Sequence, residues 1–270
     1  MQIGYVLKYK KTIYKGKRKM SFLQKEIEVR SSLDGTLQPS LFFEAEGKDR
    51  PLLVGLHTWS FNRFNQVNNM LPYAKKYNFH LLLPEFRGAN LAENPNCRDA
   101  CGSPLAIGDI FDAIKYVTEN YSVDKGSVFL LGQSGGGHAA LLCCARHPEI
   151  FRAAAAFVPV CDLSDWSAQN SGYRASVVAC CGCEEEMKRR SPSSYPEEIS
   201  HANLKIFHGK YDKVVPVSQS INLYSSIMDI NPNSRTFLDI FDGGHSLSME
   251  AAFFWFMSQY KEKNLTEVTG

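Results

Sequence analysis

Three residues of this chain have the types and settings that serine-based nucleophilic chemistry requires. They are Ser134 in Gly132-Gln133-Ser134-Gly135-Gly136, Asp212 and His245. A neutral hydroxyl is a weak nucleophile, so it needs a base to take its proton and a third group to orient that base. The apolar run Val128 to Leu131 enters the serine motif directly, and Ala139 to Ala145 continues as a buried helical pattern ending near His147-Pro148. Strand, Gly-x-Ser-x-Gly and helix in that order form the layout of a nucleophile elbow, a sharp turn that holds the hydroxyl clear of the sheet above a helix N-terminus.

The partners should follow the serine in chain order, each on a loop after a strand. Asp212 stands in the loop after the strand-like Leu204 to His208, and His245 lies on the glycine-flanked turn Asp242-Gly243-Gly244-His245 after Thr236 to Phe241. The separations of 78 and 33 residues leave room for complete strand–helix units, so all three side chains can meet at one sheet edge. His245 is then the base, and Asp212 the acid that fixes its tautomer. Asp162, Asp165 and Asp242 are rivals for the acid, with Asp212 favoured by its strand–loop setting. The other histidines at 57, 80, 138, 147, 201 and 208 lack that setting, and the last five read as packed or solvated side chains. An oxyanion would be held by two main-chain N–H groups. The residue after the nucleophile, Gly135, gives one; the loop after Pro51 to His57 gives the other, with Trp59 favoured and Thr58 second.

The elements that position these residues alternate. A hairpin is predicted at about 25–31 and 37–45, turned at Asp34-Gly35. Strand, helix and strand follow near 51–57, 65–77 and 79–84, then a loop over 85–103 and a helix to about 121. The elbow strand and helix occupy 127–147, with a strand at 153–160. An irregular segment at 161–200 interrupts the pattern before two final strand–helix units. Alternating elements imply an α/β fold, a mostly parallel central sheet with helices on both faces and an N-terminal antiparallel hairpin. Residues 1–270 read as one catalytic domain with a small lid-like insertion at about 161–200. That insertion should bring Asp162, Trp166, Tyr173 and Tyr195 over the site, opposite Trp59 and Phe61. Substrate contacts are therefore expected from Trp59, Arg87, Asp162 and Trp166. Arg87 would meet an anionic substrate group or, the favoured reading, brace Asp162 or Glu85.

At 270 residues, 44% hydrophobic and with a net charge of +2, the chain has the composition of an ordinary globular protein and no general attraction to nucleic acid. The basic stretch Lys8 to Lys19 reads as a solvated arm. Neither a signal-peptide core nor an apolar run of about 18 residues is present, so a soluble, cytoplasmic protein with no membrane partner is expected. Of eight cysteines, Cys143, Cys144 and Cys161 read as buried hydrophobes. Cys97 with Cys101 and Cys180 with Cys183 carry a weak zinc or redox signal, and no metal or other cofactor is expected.

The chain resembles an α/β-hydrolase of the prolyl oligopeptidase-like branch, the set that includes dipeptidyl-peptidase catalytic domains and acetyl-xylan esterases. The resemblance is carried by His57-Thr58-Trp59-Ser60, Pro84-Glu85-Phe86-Arg87-Gly88, the Asp109 to Tyr121 helix, the elbow, Arg146-His147-Pro148, His208-Gly209 with Asp212 and Val215-Pro216, and Gly243-Gly244-His245. Many relatives carry His-Gly where this chain has His57-Thr58. The resemblance covers a catalytic domain without a propeller. It implies a serine hydrolase for small or carbohydrate-linked acyl esters, with a serine peptidase on short peptides as the alternative and a non-catalytic binding protein as the third reading. The substrate is a small ester or short peptide, and homo-oligomerisation is left open.

Overall fold

A computed structural model describes residues 22–268, with side chains to residue 260. The basic arm lies outside the described residues. The chain runs β1 (Leu23–Arg30), β2 (Leu37–Glu44), β3 (Arg50–Leu56), α1 (Val67–Tyr77), β4 (His80–Pro84), α2 (Pro104–Asn120), β5 (Val123–Gln133), α3 (Gly135–Arg146) and β6 (Ala153–Phe157). It continues through α4 (Leu163–Gln169), α5 (Ser171–Cys181), α6 (Glu184–Arg189), α7 (Pro196–Ile199), β7 (Leu204–Gly209), α8 (Ser218–Ile230), β8 (Thr236–Phe241) and α9 (Met249–Val268). The eight strands form one sheet in the order β1-β2-β4-β3-β5-β6-β7-β8. The β1–β2 hairpin and its join to β4 are antiparallel, while every pairing from β4 to β8 is parallel. The β-hairpin and the parallel α/β sheet are thus as the alternation implies, in the α/β-hydrolase arrangement.

Side-chain alternation builds two cores. Leu52, Val54 and Leu56 of β3 and Val128 and Leu130 of β5 face α2, α3 and α8. Leu53, Phe129 and Leu131, one residue out of phase, face α1 and α9 through Met70, Phe253 and Phe256. Because both faces are covered, the central strands read as continuous apolar runs instead of alternating ones. Helix α2 starts where Ser103 accepts the Ala106 N–H at 3.1 Å, with Pro104 in the first turn, which lacks only an N–H that would be unpaired there anyway.

Two expectations are corrected. The segment 161–200 is not irregular: it folds into α4 to α7 with one further short turn at Pro192–Ser194. These helices are 4 to 11 residues long, too short to repeat an apolar stripe that a sequence pattern can register. Asp162 caps α4, and Gly182 at φ 83° ends α5. The strand predicted to reach 160 stops at Phe157, because Val158 takes φ 44°. A β-branched residue in that region is strained by about 1–3 kcal/mol, and it turns the chain out of the sheet next to the serine. Among the described residues, no helix is long and apolar enough to cross a membrane.

Candidate active site

Ser134 sits between β5 and α3 at φ 56°, ψ −118°. Its N–H donates to the Phe157 carbonyl (2.9 Å) and its own carbonyl accepts the His138 N–H (2.9 Å), so both neighbouring elements fix the turn. The glycines are there for space. A Cβ on Gly132 would collide with the Gly136 carbonyl, and one on Gly136 would lie 2.6 Å from the Leu56 carbonyl oxygen. Such approaches exclude any side chain.

Asp212 and His245 are brought together by the backbone. The Tyr211 N–H donates to the Gly243 carbonyl (2.9 Å), and Gly209, without a Cβ, lets the Gly244 carbonyl pack directly on it. His245 Nδ1 then lies 2.7 Å from Asp212 Oδ2. Asp212 Oδ1 accepts the N–H groups of Val214 (2.8 Å) and Val215 (3.0 Å). Burial works to raise the Asp212 carboxyl, but the His245 hydrogen bond and these two N–H groups outweigh it and hold the carboxyl below its usual range. The acid in contact with His245 is therefore Asp212. Behind it, His208 is fully buried between Ser220 Oγ (2.7 Å) and the Val215 carbonyl (2.9 Å), and burial pushes its imidazole down.

Ser134 and His245 line one cleft of about 340 Å³ with Thr58, Trp59, Ser60, Phe61, Asn65, Gln66, Asn69, Gln133, Tyr173 and Val214. The Thr58 N–H is committed to Asn65 Oδ1 at 3.1 Å. Trp59 sits against Gly135, where a Cβ would come within 2.7 Å of the Trp59 nitrogen. The two main-chain N–H groups of Gly135 and Trp59 thus belong to adjoining segments beside the serine. The Trp59 indole N–H is buried without a hydrogen-bond partner.

Three expected substrate contacts are placed elsewhere. The Arg87 side chain is 4% exposed and held by Asp109 (2.5 Å) and Asp34 (2.8 Å). It therefore braces α2 and the hairpin, and Glu85 instead pairs with Arg63 at 2.7 Å. Asp162 caps α4 through the Asp165 N–H (2.9 Å), accepts the Ser193 hydroxyl (2.9 Å) and borders a separate 110 Å³ cavity. Trp166 is buried behind the cleft: its indole N–H donates to the Val214 carbonyl (2.8 Å), and its ring contacts Trp59 at 4.8 Å and Tyr173 at 4.6 Å. It supports the wall and the Asp212 loop without lining the cleft. Tyr195 likewise turns away, donating to the Arg189 carbonyl.

The amides Asn65, Gln66, Asn69 and Gln133 were not legible as cleft residues. The signal available was the amide-rich run Asn62 to Asn69 directly after an apolar strand. Among the described residues no group of three or more His, Cys, Asp or Glu is placed to hold a metal ion.

A parallel sheet in this order, with a strained serine at a strand–helix junction and an aspartate–histidine pair on later loops, defines the α/β-hydrolase class. The sequence profile of the prolyl oligopeptidase family matches residues 106–257, more than half of the chain. The chain belongs to the prolyl oligopeptidase family. It is similar to human acylamino-acid-releasing enzyme, 25% identical over 176 residues that cover 60% of this chain and 24% of the human one. Feruloyl esterase B of Talaromyces stipitatus is 21% identical over 226 residues, covering 74% of this chain and 60% of the esterase. The chain therefore spans only part of the length of these relatives. In fold it is similar to the acylaminoacyl peptidase of Pyrococcus horikoshii, with a TM-score of 0.69 at 16% identity over 93% of this chain and 42% of the other.

Proposed function

We propose that this chain hydrolyses carboxylic esters of small or carbohydrate-linked acyl groups through an acyl-enzyme on Ser134. The observation that carries the reading is the 2.7 Å Asp212–His245 hydrogen bond at the cleft that also holds Ser134 at φ 56°. His245 Nε2 takes the Ser134 proton as Oγ attacks the ester carbonyl, then returns it to the leaving alkoxide. Asp212 keeps the proton of the neutral imidazole on Nδ1 and stabilises the imidazolium. The Gly135 and Trp59 N–H groups hold the oxyanion, and each such donor contributes about a hundred- to a thousand-fold in rate. Water, activated by the same imidazole, then releases the acid. Eight free thiols suit a reducing compartment, so the protein works in the cytoplasm on this reading.

The lining of the cleft supports an uncharged substrate. Amides, hydroxyls and aromatic rings form it, and no Asp or Glu is among the residues that line it. A free α-ammonium has no carboxylate to meet there. Glu184 to Glu186, the sequence candidates, lie in the first turn of α6, and Glu186 pairs with Arg189 and Arg190. One observation favours a second reading. An N-acylated peptide is also uncharged at that end, and a relative is named as an acylamino-acid-releasing enzyme.

The test is labelling by a fluorophosphonate probe, followed by turnover of nitrophenyl acyl esters, aminoacyl nitroanilides and N-acetylaminoacyl nitroanilides. Wild type is expected to label and Ser134→Ala to stay unlabelled, with the esters turned over fastest. Absence of labelling, or equal labelling of Ser134→Ala, removes the enzymatic reading. Faster release from N-acetylaminoacyl anilides moves the assignment to the peptidase.

A further inference from the structure

Four of the eight cysteines, drawn from two distant stretches, converge behind the aromatic wall of the cleft. Cys97 and Cys101 come from the loop between β4 and α2, and Cys180 and Cys181 end α5. Cys97 Sγ lies 3.7 Å from the Ala179 carbonyl, on the last turn of α5. The Cys97 side chain thus lies beside Cys180, the next residue of α5, and the Cys101 thiol neighbours those of Cys180 and Cys181. Cys101, Cys180 and Cys181 share one apolar cluster with Trp59 and Trp166, and Cys97 and Tyr173 pack against it.

Arg190 ties the two stretches together from inside. Its Nη1 donates to the carbonyls of Arg98 (3.0 Å), Ala100 (3.2 Å) and Cys180 (3.4 Å). The neighbouring Cys101 thiol, with the Arg190 charge behind it, holds the Cys180 and Cys181 thiols below their usual range. Burial pushes Cys97 up. The cluster therefore sets two lowered thiols at the end of α5 beside the thiols of the loop, with the Arg190 cation behind them, an electropositive setting that favours reactive sulfur. Of the four, Cys97 is the one at the half-exposed edge, while the other three are buried. Cys143, Cys144 and Cys161 are buried elsewhere and burial pushes each of them up, which makes them inert by the same criterion.

We propose that Cys97 and Cys180 form an oxidation site for hydroperoxides, closing to a reversible disulfide that ties the β4–α2 loop to the end of α5 and fixes the aromatic wall of the cleft. Cys97, the accessible thiol, loses its proton to solvent, and its thiolate attacks a peroxide oxygen. The O–O bond breaks and water leaves, taking one proton from solvent and giving a sulfenic acid. The neighbouring thiol attacks that sulfur, the S–S bond forms, and the hydroxyl departs with the thiol proton as a second water. Two thiols and one hydrogen peroxide thus yield one disulfide and two waters, the sulfurs losing two electrons and the peroxide gaining them. The pairing differs from the one that sequence spacing suggests, which joins neighbours within each stretch and includes the exposed Cys183.

The consequence for the cleft follows from α5. Tyr173 in its first turns lines the cleft and stacks on Trp166, so a tether at its last turn holds that ring over the serine. Oxidation should change access of bulky acyl groups and leave small ones alone.

The test treats the reduced protein with one equivalent of hydrogen peroxide. The intact mass is expected to fall by two hydrogens, a peptide map to join Cys97 to Cys180, and dithiothreitol to reverse both. Tryptophan fluorescence from Trp59 and Trp166 should shift with the same time course, a readout that does not depend on any hydrolytic activity. Cys97→Ser, at a half-exposed position, should fold and show neither change, while Cys183→Ser should behave as wild type. On the ester reading, KM for a bulky aryl ester rises severalfold on oxidation while kcat for acetate esters holds. No mass loss, a crosslink confined to other cysteines, or the same crosslink with unchanged fluorescence would overturn the proposal. A chain that forms the disulfide with the fluorescence shift yet turns over no ester leaves the oxidation site standing and removes the ester reading.

Discussion

Asp212 shows how much a single side chain has to satisfy. One carboxylate oxygen takes two main-chain N–H groups, and the other takes His245. An asparagine there must keep its carbonyl on the Val214 and Val215 N–H groups, because only an acceptor fits. Its NH₂ then faces His245 Nδ1, which forces the imidazole proton onto Nε2, the atom that must accept from the serine. Asp212→Asn should therefore fold and lower kcat for a nitrophenyl ester about 10⁴-fold. A loss smaller than tenfold would place the orienting acid elsewhere. The aspartate and histidine were legible in sequence because strand ends and glycine-flanked turns mark the loops that a parallel sheet exposes at its C-terminal edge. Arg87 was misplaced for the same reason: it follows a strand too, but two carboxylates from elements distant in sequence claim it.

Those two carboxylates make Arg87 a clamp between elements. The guanidinium joins the hairpin turn through Asp34, α2 through Asp109, and the loop that it begins. Burial raises the Asp109 carboxyl although Arg87 pulls it down, so removing the cation leaves a buried carboxylate without a counter-charge. Arg87→Ala should cost about 3–5 kcal/mol. The unfolding midpoint by calorimetry should fall by about 10 °C, with KM and kcat of the folded fraction unchanged. A selective rise in KM for anionic substrates, without loss of stability, would instead restore a substrate role. Element boundaries were legible where caps and periodicity agree, as at Ser103-Pro104. They were not legible across 161–200, where α7 is set by its packing on α3 and α8, and α4, α5 and α6 by their packing on one another, instead of by a pattern of their own.

Across the molecule, four imidazoles are kept from water. Burial pushes down His57, His80, His138 and His208, His138 to about 4. In the unfolded chain each protonates near pH 6.5. Between that value and the folded one the unfolded state binds more protons, so stability rises with pH through the window and is lost as pH falls through it. From pH about 6.5 to about 4, His138 accounts for about 3 kcal/mol. The lowered carboxyls of Asp34 and Asp212 extend the acid lability below their unfolded values, since their stabilisation is present above those values and lost beneath. The unfolding midpoint should drop steadily below pH about 6.5, and His138→Gln, which can still donate to the Arg190 carbonyl, should flatten the slope. A flat profile in wild type would mean that these rings protonate without unfolding the chain.

The sequence alone determined the alternating fold, the elbow and its two partners, because each depends on local chemistry: apolar periodicity, glycines that clear a tight turn, and loops that must follow strands. Only the tertiary structure decided which polar groups meet. It assigned Arg87 to Asp34 and Asp109, turned Asp162 into a helix cap, put Trp166 behind Trp59, lined the cleft with Asn65, Gln66, Asn69 and Gln133, and gathered cysteines from two stretches into one cluster. Those outcomes depend on the distances between segments remote along the chain, which the sheet order sets and no residue spacing encodes.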